Sequence, residues 1–222
     1  EAEGIMSLPW KRMLTSRSIW AATAAHAANN WGLYTTLAWL PSFFGQQFHL
    51  DLASSSAFST LPYIAGMIAA PAAGLSADAL IARYNDTTAV RKLMQGVGSF
   101  GPMVCMLTLS SLAAANDASP QAASAVFVAA VALAGASSAG FGTSLQDLSS
   151  RFSGTLYGAV SVLSSIAGAT GVYVTGEVLE QTGSWSTVFG CTALVYALGG
   201  LAFVSAYDAS PLFPPGSKFA DP

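Results

Sequence analysis

Four residues in an apolar run set the first chemical question. Around "HAANNWGLYTTLAWLPSFF" (His26 to Phe44), Thr23, His26, Asn30 and Tyr34 step by three or four residues, so a helix places them on one face, with Asn29 beside them. Leu33, Leu37 and Leu40 supply apolar surface elsewhere. Amide, phenol and imidazole groups bind small polar solutes, and an imidazole also takes and gives a proton. In lipid each such group costs several kcal/mol unless satisfied. The stripe therefore faces other helices or a water-filled cavity, and an ionisable His26 in mid-span marks a substrate or proton pathway.

Two further groups carry charge. In "GLSADALIARYNDTTAVRKLMQ", Asp78 falls in the last turns of an apolar segment, where the negative end of the helix dipole disfavours a carboxylate. Arg83, Arg91 and Lys92 are the cations that could compensate it, as a cluster bridging two helix ends that forms in one state and breaks in another. In "QDLSSRFSGTLYG", Asp147 and Arg151 are four apart, an i,i+4 contact if the stretch is helical. Static surface ion pairs and plain helix-to-helix hydrogen bonds are the competing readings for all three groups.

Enzyme chemistry finds little support. "GVGSFG" fits GxGxxG through Gly96, Gly98 and Gly101, but it lies inside an apolar helix rather than between a strand and a helix, so close packing explains its glycines. There is no GxSxG elbow, and His26 and His49 are not in HExxH spacing. Cys105 and Cys191 have no CxxC or Cys/His spacing and read as packing residues. The reading is a non-enzyme with no cofactor and no metal site, leaving H+ or Na+ as a coupling ion.

The elements that position these residues follow from composition. With 53% hydrophobic and 9% charged residues and a mean hydropathy of +0.52, the chain cannot coat itself with charge as a soluble domain does. A net charge of -3 with no basic face excludes nucleic acid and leaves the lipid bilayer as the main partner. A membrane helix needs about 20 apolar residues, and six stretches qualify: Ser18 to Phe44, Ser54 to Ala82, Lys92 to Leu112, Gln121 to Ser144, Gly154 to Leu179 and Ser184 to Ala206. Lys11, Arg12, Arg17, Arg83, Arg91, Lys92, Arg151 and Lys218 all fall on one side of that layout, whereas Asp51, Asp117 and Glu180 are the charges of the opposite loops. Both termini then lie on the cytoplasm-like side. The expected domains are a linker or amphipathic segment over 1–17, a six-helix bundle over 18–208 and a Pro-rich tail over 209–222. The start, without an initiator Met, reads as processed or truncated. Kinks are expected at Pro41, Pro62, Pro71 and Pro102. Glu177 and Glu180 near the end of span five echo Asp78 near the end of span two, as an inverted repeat of two three-helix units would.

Seven stretches together carry a resemblance: "SLPWK" (from Ser7), "NNWGLYTTLAWLPSFF" (from Asn29), "LPYIAG" (from Leu61), "ADALIAR" (from Ala77), "TTAVRKLMQGVG" (from Thr87), "QDLSSRFSGTLYG" (from Gln146) and "GSWSTVF" (from Gly183). In this order the chain resembles the anion-transporting branch of the major facilitator superfamily, with its plastid and sodium-dependent phosphate transporters and vesicular glutamate carriers. The resemblance covers the family's second half. It implies an all-α polytopic membrane protein, the six-helix half of a twelve-helix transporter, moving a small inorganic or organic anion by symport and alternating access. Phosphate leads among the substrates. Spans one and four would line the cavity, spans three and six would lie at the periphery, and the missing N-terminal half becomes a required partner. It implies His26, Asn29, Asn30 and Tyr34 in the pathway, Asp78, Arg83 and Arg91 in an inner gate, and Asp147 and Arg151 coupling spans four and five. Where family members place Arg or His, this chain has Asn29, with His26 one turn earlier as the possible substitute; it also has Ser144, Leu145 and Ser150 where members carry Asn-His and Pro. The plastid envelope and the plasma membrane are both open as locations, and a non-transporting scaffold or sensor of the same fold is the alternative function.

Overall fold

The computed structural model describes residues 9–115, 119–213 and 219, so Asp117, Lys218 and most of the 1–8 and 214–222 ends lie outside the described residues. A short helix α1 (Trp10–Leu14) leads into α2 (Arg17–Phe48), α3 (Leu52–Tyr84) and α4 (Thr87–Ala115). The fourth span is α5 (Pro120–Ala134), a 3₁₀ turn (Gly135–Ser138) and α6 (Phe141–Leu148); α7 (Ser153–Thr182) and α8 (Trp185–Ala206) complete the bundle.

The helix ends are written in local chemistry. Ser16, Asp51, Ser119 and Ser184 each accept from the backbone N–H three residues on, the N-cap bond that satisfies an orphan donor. Asp86 does the same for Ala89. At the opposite ends His49, Asn85 and Gly183 adopt left-handed backbone with φ of 54°, 52° and 61°, closing α2, α3 and α7. Each closing residue sits one or two positions before the next cap, so three of the hairpin turns are very tight.

Five segments are long and apolar enough to cross a membrane: α3, α4, the fourth span, α7 and α8. The sixth, α2, has the length, about 48 Å at 1.5 Å per residue, but its polar residues lower its hydropathy. Its position accounts for this. α2 contacts α3, α6, α7 and α8, and 14 of its 32 residues are buried, so protein rather than lipid surrounds much of its polar surface. At the other extreme α3 buries only Ser55, Ser59, Pro62 and Ala77 of its 33 residues.

Pro41, Pro62, Pro71 and Pro102 all lie inside continuous helices, so none of them interrupts a span. The interruption comes instead in the fourth span, expected to run unbroken from Gln121 to Ser144. The glycines of "GVGSFG" serve packing there: a Cβ on Gly98 would lie 2.6 Å from the Ser137 backbone nitrogen, and one on Gly101 would lie 3.0 Å from Leu133 Cβ. Helix α4 thus presses against the turn itself.

The core divides into two main clusters. One gathers Met13, Ile19, Phe141, Leu148, Phe152, Phe203 and Tyr207 at the end where α2, α4 and α7 begin. The other gathers Leu40, Phe43, Phe44, Phe127, Trp185 and Phe189 at the opposite end. The seven described Lys and Arg residues all fall at the first end, as the loop charges require.

Candidate functional site

Between the two clusters lies a cavity of about 450 Å³. Its walls are Asn29, Gly32, Leu33 and Thr36 of α2, Gly66 and Ala70 of α3, the break in the fourth span from Ala134 to Thr143, and Tyr157 of α7. Met106 of α4 and Tyr196 of α8 are the sole lining residues of their helices. Spans one and four give most of the lining, and spans two, three, five and six give one or two residues each. A second cavity of about 410 Å³ adjoins it toward the Lys- and Arg-bearing end, sharing Gly142 and Tyr157 and adding Gln146 and Ser153.

The break is built rather than frayed. Gln95, fully buried on α4, donates from Nε2 to Ser99 Oγ at 2.9 Å and to Ser137 Oγ at 3.2 Å. Its Oε1 accepts the Phe141 N–H at 2.9 Å, a donor that the start of α6 leaves without a helical partner. Gly140 permits the approach, since a Cβ there would stand 3.0 Å from the Gln95 Cα. Ser138 Oγ bridges to the carbonyls of Gly135 and Ala70, at 2.8 and 3.3 Å, which ties the turn to α3. Buried backbone polar groups at a broken membrane helix require such partners.

The polar stripe of α2 divides around this cavity. Asn29 and Thr36 face it, with Thr36 Oγ1 also donating to the Gly32 carbonyl at 2.7 Å. His26 is buried one layer behind, its ring stacked on Phe141 at 4.4 Å and tilted to Tyr157 at 5.7 Å. Asn30 is buried but outside the lining, Thr23 bonds back to the Ile19 carbonyl, and Tyr34 packs over Gly168 of α7. At 3.6 residues per turn the cavity-facing line 29, 32, 33 and 36 is offset by about a third of a turn from 23, 30 and 34, with His26 between the two lines. The stripe is real, but its centre points into the protein.

The charged groups regroup as well. Arg91, only 7% exposed, donates from Nε to Asp147 Oδ2 at 2.7 Å and from Nη2 to Oδ1 at 3.2 Å. Its Nη1 reaches the Ala139 carbonyl at 3.1 Å, and the Tyr207 hydroxyl lies 3.4 Å from Asp147 Oδ2. One guanidinium thus joins α4 to the break, at Ala139, and to α6 beyond it, and Tyr207 after α8 completes the group. Asp78 and Arg83 do not join it: both are exposed on α3 and make no ion pair among the described residues. Arg83 lies over the Tyr84 ring at 5.4 Å. The helical Asp147–Arg151 pair is also ruled out as such, because α6 ends at Leu148 and Ser149 is extended. Arg151 instead lies over the Phe152 ring at 5.2 Å.

Sequence reasoning missed Gln95, Thr36, Ser137, Thr143, Tyr157 and Tyr196. Thr36 sits seven residues after Asn29, a helical repeat that was there to be read, and Tyr157 is the penultimate residue of one of the quoted motifs. Gln95 and Ser137 meet across 42 positions, and no local spacing announces them.

No family model matches the chain. It is 31% identical over 99% of its length to a rice (Oryza sativa subsp. japonica) protein named "Probable anion transporter 1, chloroplastic" and to "Sodium-dependent phosphate transport protein 1, chloroplastic" of Arabidopsis thaliana. It is 30% identical, again over 99%, to "Ascorbate transporter, chloroplastic" of Arabidopsis thaliana. The chain spans about two fifths of the length of these relatives, 39%, 40% and 38% respectively. All three are named as transporters and none as an enzyme.

Proposed function

We propose that this multi-pass membrane protein, a homologue of chloroplast anion transporters, is the C-terminal six-helix half of a major facilitator carrier that moves an anion by alternating access. The observation that carries the reading is the cavity at the broken fourth span. Discontinuous helices bring backbone and small polar side chains to substrate sites in transporters, and here the break, Asn29 and Thr36 converge on one space. The relatives' names supply the anion. Inorganic phosphate is the first substrate to try and ascorbate the second, with the plastid envelope as the membrane and symport as the mode.

Asn29, Thr36, Thr143 and Tyr157 would hold the substrate by neutral hydrogen bonds, and the sparsely buried α3 would meet the other six helices. Arg91 and Asp147 would brace α6 against α4 at the gate end. The test is uptake of labelled phosphate and labelled ascorbate into proteoliposomes, comparing this chain alone with the chain co-expressed with a relative's N-terminal half. Uptake by the pair alone is the expected result. A correctly inserted pair that moves neither anion would favour the non-transporting scaffold.

A further inference from the structure

We propose that His26 binds a proton in this carrier, and that its imidazolium supplies positive charge to the neutral wall that this half gives the cavity. The inference rests on the anion-carrier reading above. It begins from a mismatch: among the described residues no Lys, Arg or His lines the cavity, whose polar groups are amides, hydroxyls and phenols. An anion against this wall gives up hydration without meeting a counter-charge on it. Arg91 does not supply one, because Asp147 already neutralises it.

His26 is the cation that is present on demand. It lies directly behind Phe141 and Tyr157, two residues that themselves line the cavity, so a single layer of rings separates the imidazole from the space. It is 7% exposed and its Nδ1 has no hydrogen-bond partner among the described residues, an arrangement that structural histidines seldom keep. The other histidine, His49, is exposed in the turn before α3 at the far end of the bundle.

Among the described residues the surrounding titratable groups leave the role to His26. Tyr157 of α7 is the one in ring contact with it. On α6 the charge is Asp147, held by Arg91 of α4, and α5 carries no titratable side chain. Tyr196 of α8 packs over Gly32, Tyr34 of α2 packs over Gly168, and Asp78 and Arg83 of α3 are exposed. Lys11 and Arg12 of α1 are exposed too.

Protonation adds one H+ to a neutral imidazole nitrogen and breaks no other bond. A lone imidazolium in this setting is unfavourable, and so is a lone anion in the cavity. Each therefore favours the other, and by linkage the proton raises anion affinity by the same factor as the anion raises proton affinity. One proton would accompany each anion, a symport that is electroneutral for a monoanion.

The experiment uses the complete carrier in proteoliposomes at equal pH on both sides, in anion exchange. Labelled ascorbate, whose charge is constant over this range, is run beside labelled phosphate between about pH 5 and pH 8. The expected wild-type result is an ascorbate KM that rises about tenfold per pH unit once His26 loses its proton. His26→Gln, which keeps a hydrogen-bonding side chain, should be weak and flat across the range. A His26→Gln carrier with the wild-type slope overturns the proposal, and so does a flat wild type. Should that variant fail to fold, ¹⁵N-histidine spectra of the wild-type carrier decide: ascorbate should move the His26 midpoint to higher pH and leave that of His49 in place, and an unmoved His26 midpoint overturns the proposal. If the folded wild type exchanges neither anion at any pH, the carrier reading falls and this inference falls with it.

Discussion

The two ends of the bundle are held by different physics. At the end where α3, α5 and α8 begin, Phe43 makes edge-on contacts with Phe44, Phe48, Phe127, Trp185 and Phe189, with ring centroids 5.1 to 5.6 Å apart. At the other end a buried guanidinium, a carboxylate, a carbonyl and a phenol hold α4, α6 and the segment after α8 together. Aromatic packing is a sum of many weak contacts and yields gradually. An ion pair has one good geometry and is either made or broken. A contact of the second kind can switch between two states, and here it ties α6, the segment after the break, to α4.

The contrast can be tested from its strong side first. Asp147→Leu should cost about 3–5 kcal/mol of stability, since Arg91 is then buried without a partner and cannot shed its proton. Unfolding in detergent would measure it, and Arg91→Met combined with Asp147→Leu should recover most of the loss. If the single change is nearly neutral, the pair is not what holds that end. Gln95→Leu comes next, at about 1–3 kcal/mol, because it leaves the Phe141 N–H desolvated and unpaired. Anion KM should worsen as the break relaxes, and an unchanged KM would detach the break from the site. Phe43→Leu, at the aromatic end, should lose about 1 kcal/mol, the margin of edge-on ring contacts over simple burial.

The smallest effect belongs to the turn before α3. Ser54, through its hydroxyl and its backbone N–H, holds the exposed Asp51 carboxyl below the usual carboxylate range. A lowered folded pKa contributes stability above the unfolded value, about 3.9, and loses it as pH falls through the folded one. Asp51→Asn should therefore lose a slight stabilisation at neutral pH and make no difference once pH has fallen below the folded pKa, as parallel melts at both pH values would show.

Much of the architecture could be read from the residues because lipid makes composition speak plainly. Apolar length located the spans, and the Lys and Arg positions told the two ends of the bundle apart. The polar stripe pointed to α2, and Asn29 does face the cavity. Its rotation about the helix axis escaped the sequence, because which side meets the cavity is settled by neighbours such as Gly168 and Phe141. The break was missed for a related reason. Pro62 and Pro102 announce a missing donor, yet neighbours accommodate them inside unbroken helices. In "AGASSAGFG" the small residues that allow a break are the same ones that allow close packing. The Arg91–Asp147 pair spans 56 positions, so Asp78 looked nearer in sequence, although it is exposed on α3 and outside the cluster.

The left-handed residues His49, Asn85 and Gly183 bear on mechanics. With only two or three residues joining α2 to α3, α3 to α4 and α7 to α8, the ends of these neighbours are pinned together. Lengthwise slip by one helical turn, about 5.4 Å, would tear such a joint open, whereas rotation about it costs little. The freedom left to these pairs is that of hinged leaves, which tilt and splay but do not slide, so any large excursion of the bundle is made by pivoting.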